Sequence, residues 1–96
     1  MKPSNEELDA LRKNLSDNMQ RTLWIIAWDD VIKLGAGWFD SQDDKLDGRT
    51  VQALFNRCLI EWKLKGSQGT LTSGLRCTEL GNAVIERMRE TGYRLR

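Results

Sequence analysis

Three residues with hydrogen-bonding side chains lie about one helical turn apart in the middle of the chain. They are Arg49, Gln52 and Asn56. Arginine forms paired hydrogen bonds with guanine, and glutamine or asparagine does so with adenine. Thr50 and Arg57 flank these positions, where a hydroxyl and a guanidinium group suit contacts with phosphate oxygens. This combination of residue types indicates a surface that contacts nucleic acid.

The residue types needed for the common forms of catalysis are missing. The chain contains no histidine for general-base chemistry near neutral pH. Cys58 and Cys77 have no histidine partner and no C-x-x-C spacing, so we expect two buried free thiols rather than a zinc site. A disulfide between them would require backbones within about 7 Å. The acidic segment 40–48 fails as an EF-hand loop because Lys45 and Leu54 stand where calcium ligands are required. We therefore expect no enzyme activity, no cofactor and no metal.

The polar row lies on a predicted helix over residues 47–59. Asp47 is a suitable N-cap, because its side chain can accept hydrogen bonds from the first free backbone amides. Apolar residues recur on the face opposite the polar row at the spacing of an α-helix. These residues are Val51, Leu54, Phe55 and Cys58.

A predicted β-hairpin over residues 60–77 follows this helix. Residues 60–65 alternate apolar and charged side chains, which is typical of a half-buried strand. Residues 66–74 are rich in glycine, serine and threonine and favour a hairpin tip, after which residues 75–77 return as a strand. Three cations on the strands are expected near a phosphate backbone, and two polar residues at the tip are expected to reach the minor groove. The cations are Lys63, Lys65 and Arg76, and the tip residues are Gln68 and Thr70.

The elements before the polar row are predicted to be mainly helical. Ser4 and Glu7 form a capping-box pattern that begins a helix over residues 5–15. Ser16 can cap a second helix over residues 16–28, although one long helix also fits the apolar stripe. Residues 24–28 of this helix are apolar nearly all round, so we expect the helix at the centre of the core, with Trp24 and Trp28 as packing residues.

Two shorter elements and one long helix complete the prediction. Residues 31–34 are interpreted as a short helix that ends at the following glycines. Residues 36–39 are interpreted as a short strand beside the hairpin. Thr78 is a suitable cap for a C-terminal helix over residues 78–91, which packs Leu80, Ala83, Val84 and Met88 inward.

Two stretches of the second half resemble the winged helix-turn-helix family, in particular its small MarR-like and phage-type members. One is V-Q-A-L-F-N-R-C-L-I-E at 51–61, and the other is L-R-C-T-E-L-G-N-A-V-I-E-R at 75–87. The resemblance implies a single winged-helix domain over 1–96, mostly α with a small antiparallel sheet (α+β). It implies a recognition helix, a wing, double-stranded DNA as the partner and a homodimer. In this family an extra N-terminal helix either mediates dimerisation or packs on its own domain.

The charge distribution is asymmetric between the two halves of the chain. Residues 1–48 hold six Lys or Arg and ten Asp or Glu, whereas residues 49–96 hold nine and four, which together give the net charge of +1. The basic half contains the predicted recognition helix and hairpin, as a DNA-binding face requires. The near-neutral total and the acidic segment favour the alternative, a winged-helix adaptor or inhibitor that binds protein. No apolar run approaches the roughly 20 residues of a membrane span, so we expect a cytoplasmic protein.

Overall fold

Each helix begins where the sequence supplies a capping side chain. In the computed structural model, which describes residues 3–29, 31–34, 37–42, 44–65 and 70–93, the side chain of Ser4 accepts a hydrogen bond from the Glu7 amide at 3.2 Å. Asp47 accepts one from the Arg49 amide at 3.0 Å. Ser16 and Thr78 do the same for the second and last helices. These caps explain why the predicted helix starts are confirmed within one residue.

The described residues form four helices and a five-stranded antiparallel sheet, so the α+β class is confirmed. The sheet has the strand order β3-β2-β1-β5-β4. None of the helices in the described part of the chain combines the length and apolar character needed to cross a bilayer. The helices are α1 (Asn5–Lys13), α2 (Asp17–Trp28), α3 (Gly48–Asn56) and α4 (Glu79–Glu90). The strands are β1 (Ile32–Leu34), β2 (Gly37–Phe39), β3 (Lys45–Leu46), β4 (Ile60–Lys65) and β5 (Thr70–Cys77).

The predicted helix over 31–34 is wrong, because this segment forms β1. Its Ile32 pairs with Phe39 of β2, and Lys33 pairs with Trp38. A short apolar run does not by itself distinguish helix from strand, and the β-branched residues of this segment favour a strand once a neighbouring strand is present. The strand predicted over 36–39 is confirmed for its described part, Gly37–Phe39, as β2, but β1 rather than β2 lies beside the hairpin, through the pair Ile32 and Gly74.

The predicted helix over 47–59 ends early, at Asn56. Cys58 adopts a left-handed backbone conformation with φ of 58°, and the Leu59 amide then donates to the Leu54 carbonyl at 3.1 Å. This pattern closes the helix and satisfies carbonyls that would otherwise lack partners. The expectation of two buried thiols is therefore wrong for Cys58, which is exposed, whereas Cys77 is buried. Leu59 takes the inward position instead and is fully buried.

The sheet has two chemically different faces, which the strand register identifies. Directly paired residues project to the same side of an antiparallel sheet. Trp62 pairs with Leu75, which is 1% exposed, so their side faces the core. Glu61 pairs with Arg76 and therefore lies on the opposite side, which we call the outer sheet face. The same register places Ile32 and Phe39 on the outer sheet face.

The core lies between the helices and the inner face of the sheet, but residues 24–28 of α2 are not buried on all sides as the prediction requires. Leu23 and Ile26 are buried, whereas Trp24 is half-buried and Trp28 is 58% exposed. Trp28 rests on Trp24, with 5.8 Å between the ring centroids. Burial of a helix face is set by what packs on it, and the end of α2 projects past the core. Trp28 is therefore a surface residue.

The N-terminal helix packs on its own domain. Leu8 of α1 is buried, and Asp9 forms a two-pronged ion pair with Arg87 of α4, with N···O distances of 2.8 and 3.0 Å. The hydrogen bond from Arg87 lowers the pKa of the Asp9 carboxyl. The helix α1 is thus joined to α4 of its own chain by both apolar packing and an ion pair.

Candidate nucleic-acid interface

The polar row of α3 faces outward, as its spacing predicts. Arg49, Gln52 and Asn56 are exposed, whereas Val51 and Leu54 are 1% and 0% exposed on the other side of the helix. The Gln52 side-chain amide donates to the Asn56 side-chain carbonyl at 3.2 Å. This bond links two amides on successive turns and restricts their orientation. Arg49, Gln52, Asn56 and the exposed Arg57 are called the α3 surface below.

The N-terminus of α3 is built by Asp47 and Thr50. Thr50 is 7% exposed, and its hydroxyl donates to the Asp47 carboxylate at 3.2 Å. The other carboxylate oxygen accepts the Arg49 amide. Thr50 therefore completes the helix cap and is turned away from the α3 surface, in contrast to its predicted role as a phosphate contact.

Arg57 lies at the other end of the helix. Its guanidinium group reaches back toward the Ala53 carbonyl at 3.5 Å, which keeps the positive charge beside the last turn of α3. A cation at this position is also favoured by the partial negative charge of the helix C-terminus. The α3 surface thus carries an arginine at each end and two amides between them.

The hairpin places Arg76 on a different side from the α3 surface. Arg76 forms an ion pair with Glu61 at 2.7 Å on the outer sheet face. Phe55 of α3 instead contacts Trp62, whose side chain is on the inner face, with 5.8 Å between ring centroids. Because α3 packs on the inner side, the structure does not bring Arg76 together with the α3 surface. Gln68 and the side chains of Lys65 and Thr70 lie outside the described residues.

Comparison with protein-family models, curated proteins and solved structures gives no match. The geometry of the described surfaces therefore has to carry the assignment of function.

An aromatic cluster supports α3 from below. Trp38, Phe55 and Trp62 form a triangle with ring-centroid separations of 5.2, 5.8 and 6.3 Å, and all three pairs are tilted. Tilted rings at these distances attract one another beyond the effect of burial alone. Trp38 is 8% exposed and comes from β2, so the sheet and α3 are joined by this cluster. The orientation of the α3 surface is consequently fixed by core packing.

Lys33 is a cation beside this cluster that the sequence reasoning did not select. It is exposed on β1, and its ammonium group lies 5.7 Å from the centre of the Trp38 ring. Interpreting 31–34 as a helix concealed the cross-strand pair between these two residues. A hairpin prediction over 32–39 would have placed them opposite each other, since neighbouring strands pair side chains directly.

Acidic groups gather near the N-terminal end of α3. Asp40, Asp44 and Asp47 line a cleft of about 410 Å³ together with Arg21 and Lys45. One carboxylate oxygen of Asp40 accepts the amides of Gln42 and Asp44, each at 2.9 Å, so this carboxylate organises its own turn. Among the described residues, no group of three or more potential ligands could hold a metal ion.

A second cleft opens beside the outer sheet face and has a volume of about 590 Å³. Its walls include the exposed Trp28 and the pair formed by Glu61 and Arg76. Lys63, another predicted phosphate contact, is half-exposed and lines the same cleft. Buried Cys77 also contributes to the wall, and burial raises the pKa of its thiol to about 12. The cleft combines an aromatic ring with charges of both signs.

Proposed function

We propose that the chain is a small DNA-binding protein, of the type that regulates transcription in phages or mobile elements. In this proposal α3 enters the major groove of double-stranded DNA, and Arg49, Gln52 and Asn56 contact base edges. The single observation that carries the proposal is the outward row of these three side chains on a helix held firmly by the core. A major groove about 12 Å wide admits such a helix.

The chemistry of the α3 surface supports base reading more than general adhesion to a polyanion. Arg49 can bond to two acceptors of guanine, and the amides of Gln52 and Asn56 can each serve as donor and acceptor. The hydrogen bond between the two amides leaves each with further hydrogen-bonding capacity and limits their side-chain freedom. Restricting side chains before binding reduces the entropy lost in the complex.

The fold that we propose is a variant of the winged helix. Three features support it: β1 lies beside β5, α3 leads into the hairpin β4–β5, and a final helix α4 follows. The variant feature is the segment between β1 and α3. There the described residues form β2 and β3, whereas the family pattern has a full helix before the recognition helix. A strand pair thus supports α3 in place of that helix.

Phosphate contacts by the hairpin are a separate part of the proposal. They rest on Lys65, Gln68 and Thr70, whose types and positions in the sequence suit the wing role that the resemblance implies. Arg76 is left out of this part, because it is paired with Glu61 on the outer sheet face. The proposal therefore divides DNA contacts between the α3 surface and the distal part of the hairpin.

The test is selection from a pool of random-sequence duplex DNA by the wild-type protein and by the double variant Arg49→Ala and Asn56→Ala. We expect the wild type to enrich a short motif and the double variant to lose that enrichment while it still unfolds cooperatively. If the wild type enriches no sequence, or if the double variant enriches the same one as strongly, base reading by α3 is excluded.

Homodimerisation is proposed together with DNA binding, because two-fold dimers place recognition helices about 34 Å apart in successive major grooves. A dimer predicts that the enriched sequence is a palindrome with half-sites one helical turn apart. Sedimentation equilibrium of the free protein and of the complex measures the stoichiometry directly. An enriched motif without symmetry and a one-to-one complex would show that the protein acts as a monomer.

A second candidate function is that of an adaptor or inhibitor that binds another protein. The observation in its favour is the exposure of two large apolar residues, with Trp28 at 58% and Ile32 at 38%. Tryptophan is enriched at the energetic centres of protein interfaces. In this case Trp28→Ala would abolish capture of a specific protein from host extract, and Arg49→Ala would leave that capture unchanged.

A further inference from the structure

Lys33 is an exposed lysine whose ammonium group lies against an aromatic ring. It is exposed on β1 opposite Trp38 of β2, and its ammonium group lies 5.7 Å from the centre of that ring. A lysine over a tryptophan face is attracted by the ring electrons, which limits the volume that the side chain samples. Trp38 is itself 8% exposed and packed into the core, so the ring is a fixed platform.

The same ring connects Lys33 to α3. The Trp38 ring lies 6.3 Å from Phe55, and Phe55 is three residues from Gln52 on the helix surface. Residues at this spacing are neighbours on one side of a helix. Lys33, Trp38 and Phe55 therefore form a series of neighbouring side chains from β1 to α3, and Phe55 lies at the border of the apolar face of α3, one turn from Gln52.

We propose that Lys33 contacts a phosphate of the DNA strand that borders the groove occupied by α3. The inference rests on the proposed function, because it takes α3 as the element in the groove. A helix in the major groove is bordered by a sugar–phosphate backbone on each side, and a cation linked to α3 through Trp38 and Phe55 can reach one of them. The β1–β2 strand pair thereby supplies a DNA contact as well as support for α3.

The chemistry of lysine fits a phosphate contact better than a base contact. Its ammonium group is a compact charge on a flexible stem, with no planar fork for paired bonds to one base. Such contacts position a protein on DNA and carry no sequence information. Lys33 is accordingly expected to add affinity for every duplex sequence, in contrast to Arg49, Gln52 and Asn56.

The experiment measures the affinity of the full chain for a pool of random-sequence duplex DNA over a range of salt concentrations. Each phosphate contact contributes about 0.9 to the slope of log affinity against log salt. We expect Lys33→Gln to reduce that slope by about 0.9 and Lys33→Arg to restore it. The matched control is Lys13→Gln, which removes the same charge from an exposed lysine on α1. This control should leave the slope unchanged.

The outcomes separate this inference from the proposed function. If Lys33→Gln and Lys13→Gln give the same slope while Arg49→Ala still weakens sequence discrimination, the Lys33 contact is refuted and base reading by α3 stands. If the wild type shows no salt-dependent affinity for duplex DNA, the proposed function fails and the Lys33 contact falls with it. Denaturant unfolding of each variant shows whether Lys33→Gln is folded. If Lys33→Gln is unfolded, the salt slope of Lys33→Arg, which keeps the positive charge, still tests the contact: a slope below that of the wild type would contradict it.

Discussion

The α3 surface and the outer sheet face are both exposed, but they differ in their charges and in what lies beneath them. On the outer sheet face, Arg76 is already paired with Glu61 at 2.7 Å, so the two charges offset each other. The α3 surface has an arginine near each end, and its two side-chain amides are joined by a hydrogen bond. The ion pair on the first face has no net charge, whereas the α3 surface combines positive charge with groups that can form hydrogen bonds to base edges.

The support for the two surfaces differs as well. The α3 surface stands on the cluster of Trp38, Phe55 and Trp62, which joins the helix to the sheet. Trp28, the exposed tryptophan beside the outer sheet face, lies 5.8 Å from the ring of the half-buried Trp24 and 5.7 Å from the guanidinium group of Arg89. Core packing directly beneath a surface holds its side chains in a defined geometry, which sequence-specific recognition requires. An exposed ring with loose support is better suited to a partner that adapts to it.

The largest effect that we predict is on stability and contrasts these two tryptophans. Trp38→Ala should lower the free energy of unfolding by about 3–5 kcal/mol, because it empties a packed site beneath α3. Trp28→Ala should lower it by about 0.5–1 kcal/mol, since the ring is mostly in water and mainly loses its contact with Arg89. Urea denaturation of both variants measures the difference. Equal losses of unfolding free energy in the two variants would mean that the packing of Trp38 beneath α3 is no more stabilising than that of the exposed Trp28.

The next prediction concerns DNA discrimination and contrasts two arginines. Arg49→Ala should reduce the affinity for the selected DNA sequence by about 1–3 kcal/mol relative to random DNA, because a paired contact with a base is lost. Arg76→Ala should leave this difference unchanged, because its guanidinium group is paired with Glu61 on the outer sheet face. Fluorescence anisotropy with matched specific and random duplexes provides the measurement. The reverse pattern would transfer the DNA-binding site to the outer sheet face.

Much of the fold could be predicted from local signals in the sequence. Helix starts depend on single capping residues such as Ser4 and Thr78, so they are readable without tertiary information. The end of α3 is different, because it depends on Cys58 in a left-handed conformation where glycine is the usual signal. The strand β1 was also missed, since a short apolar run becomes a strand only through its pairing with other strands, here mainly β2.

The candidate site was predictable only where it depends on local sequence signals. The outward row on α3 follows from helical periodicity within one segment. Whether a charge on the hairpin shares a side with that row depends on strand register, and this separates Arg76 from Arg49. The burial of Thr50 follows from its bond with Asp47, and a polar residue type gives no hint of it. The contact between Lys33 and Trp38 required the strand pair to be known.

A smaller effect is predicted for the cap that orients α3. Asp47→Ala removes the acceptor for the Arg49 amide and the Thr50 hydroxyl, and it should lower the free energy of unfolding by about 1 kcal/mol. It should also weaken DNA discrimination, because Arg49 lies in the turn that frays. Ser4→Ala removes the equivalent cap from α1 and serves as the control, with a similar loss of stability and unchanged DNA binding. Unchanged discrimination in Asp47→Ala would show that the first turn of α3 does not contact DNA.

The smallest effect is predicted for the two thiols, which differ in their exposure. Cys58 is exposed just beyond the end of α3, whereas Cys77 is buried and burial raises its thiol pKa to about 12. The thiolate is the reactive form, so at mildly alkaline pH a thiol reagent should modify Cys58 in the native protein and Cys77 only after unfolding. Cys58→Ser confirms the assignment by abolishing the fast reaction. Equal rates of modification of the two thiols in the native protein would contradict the burial difference between them.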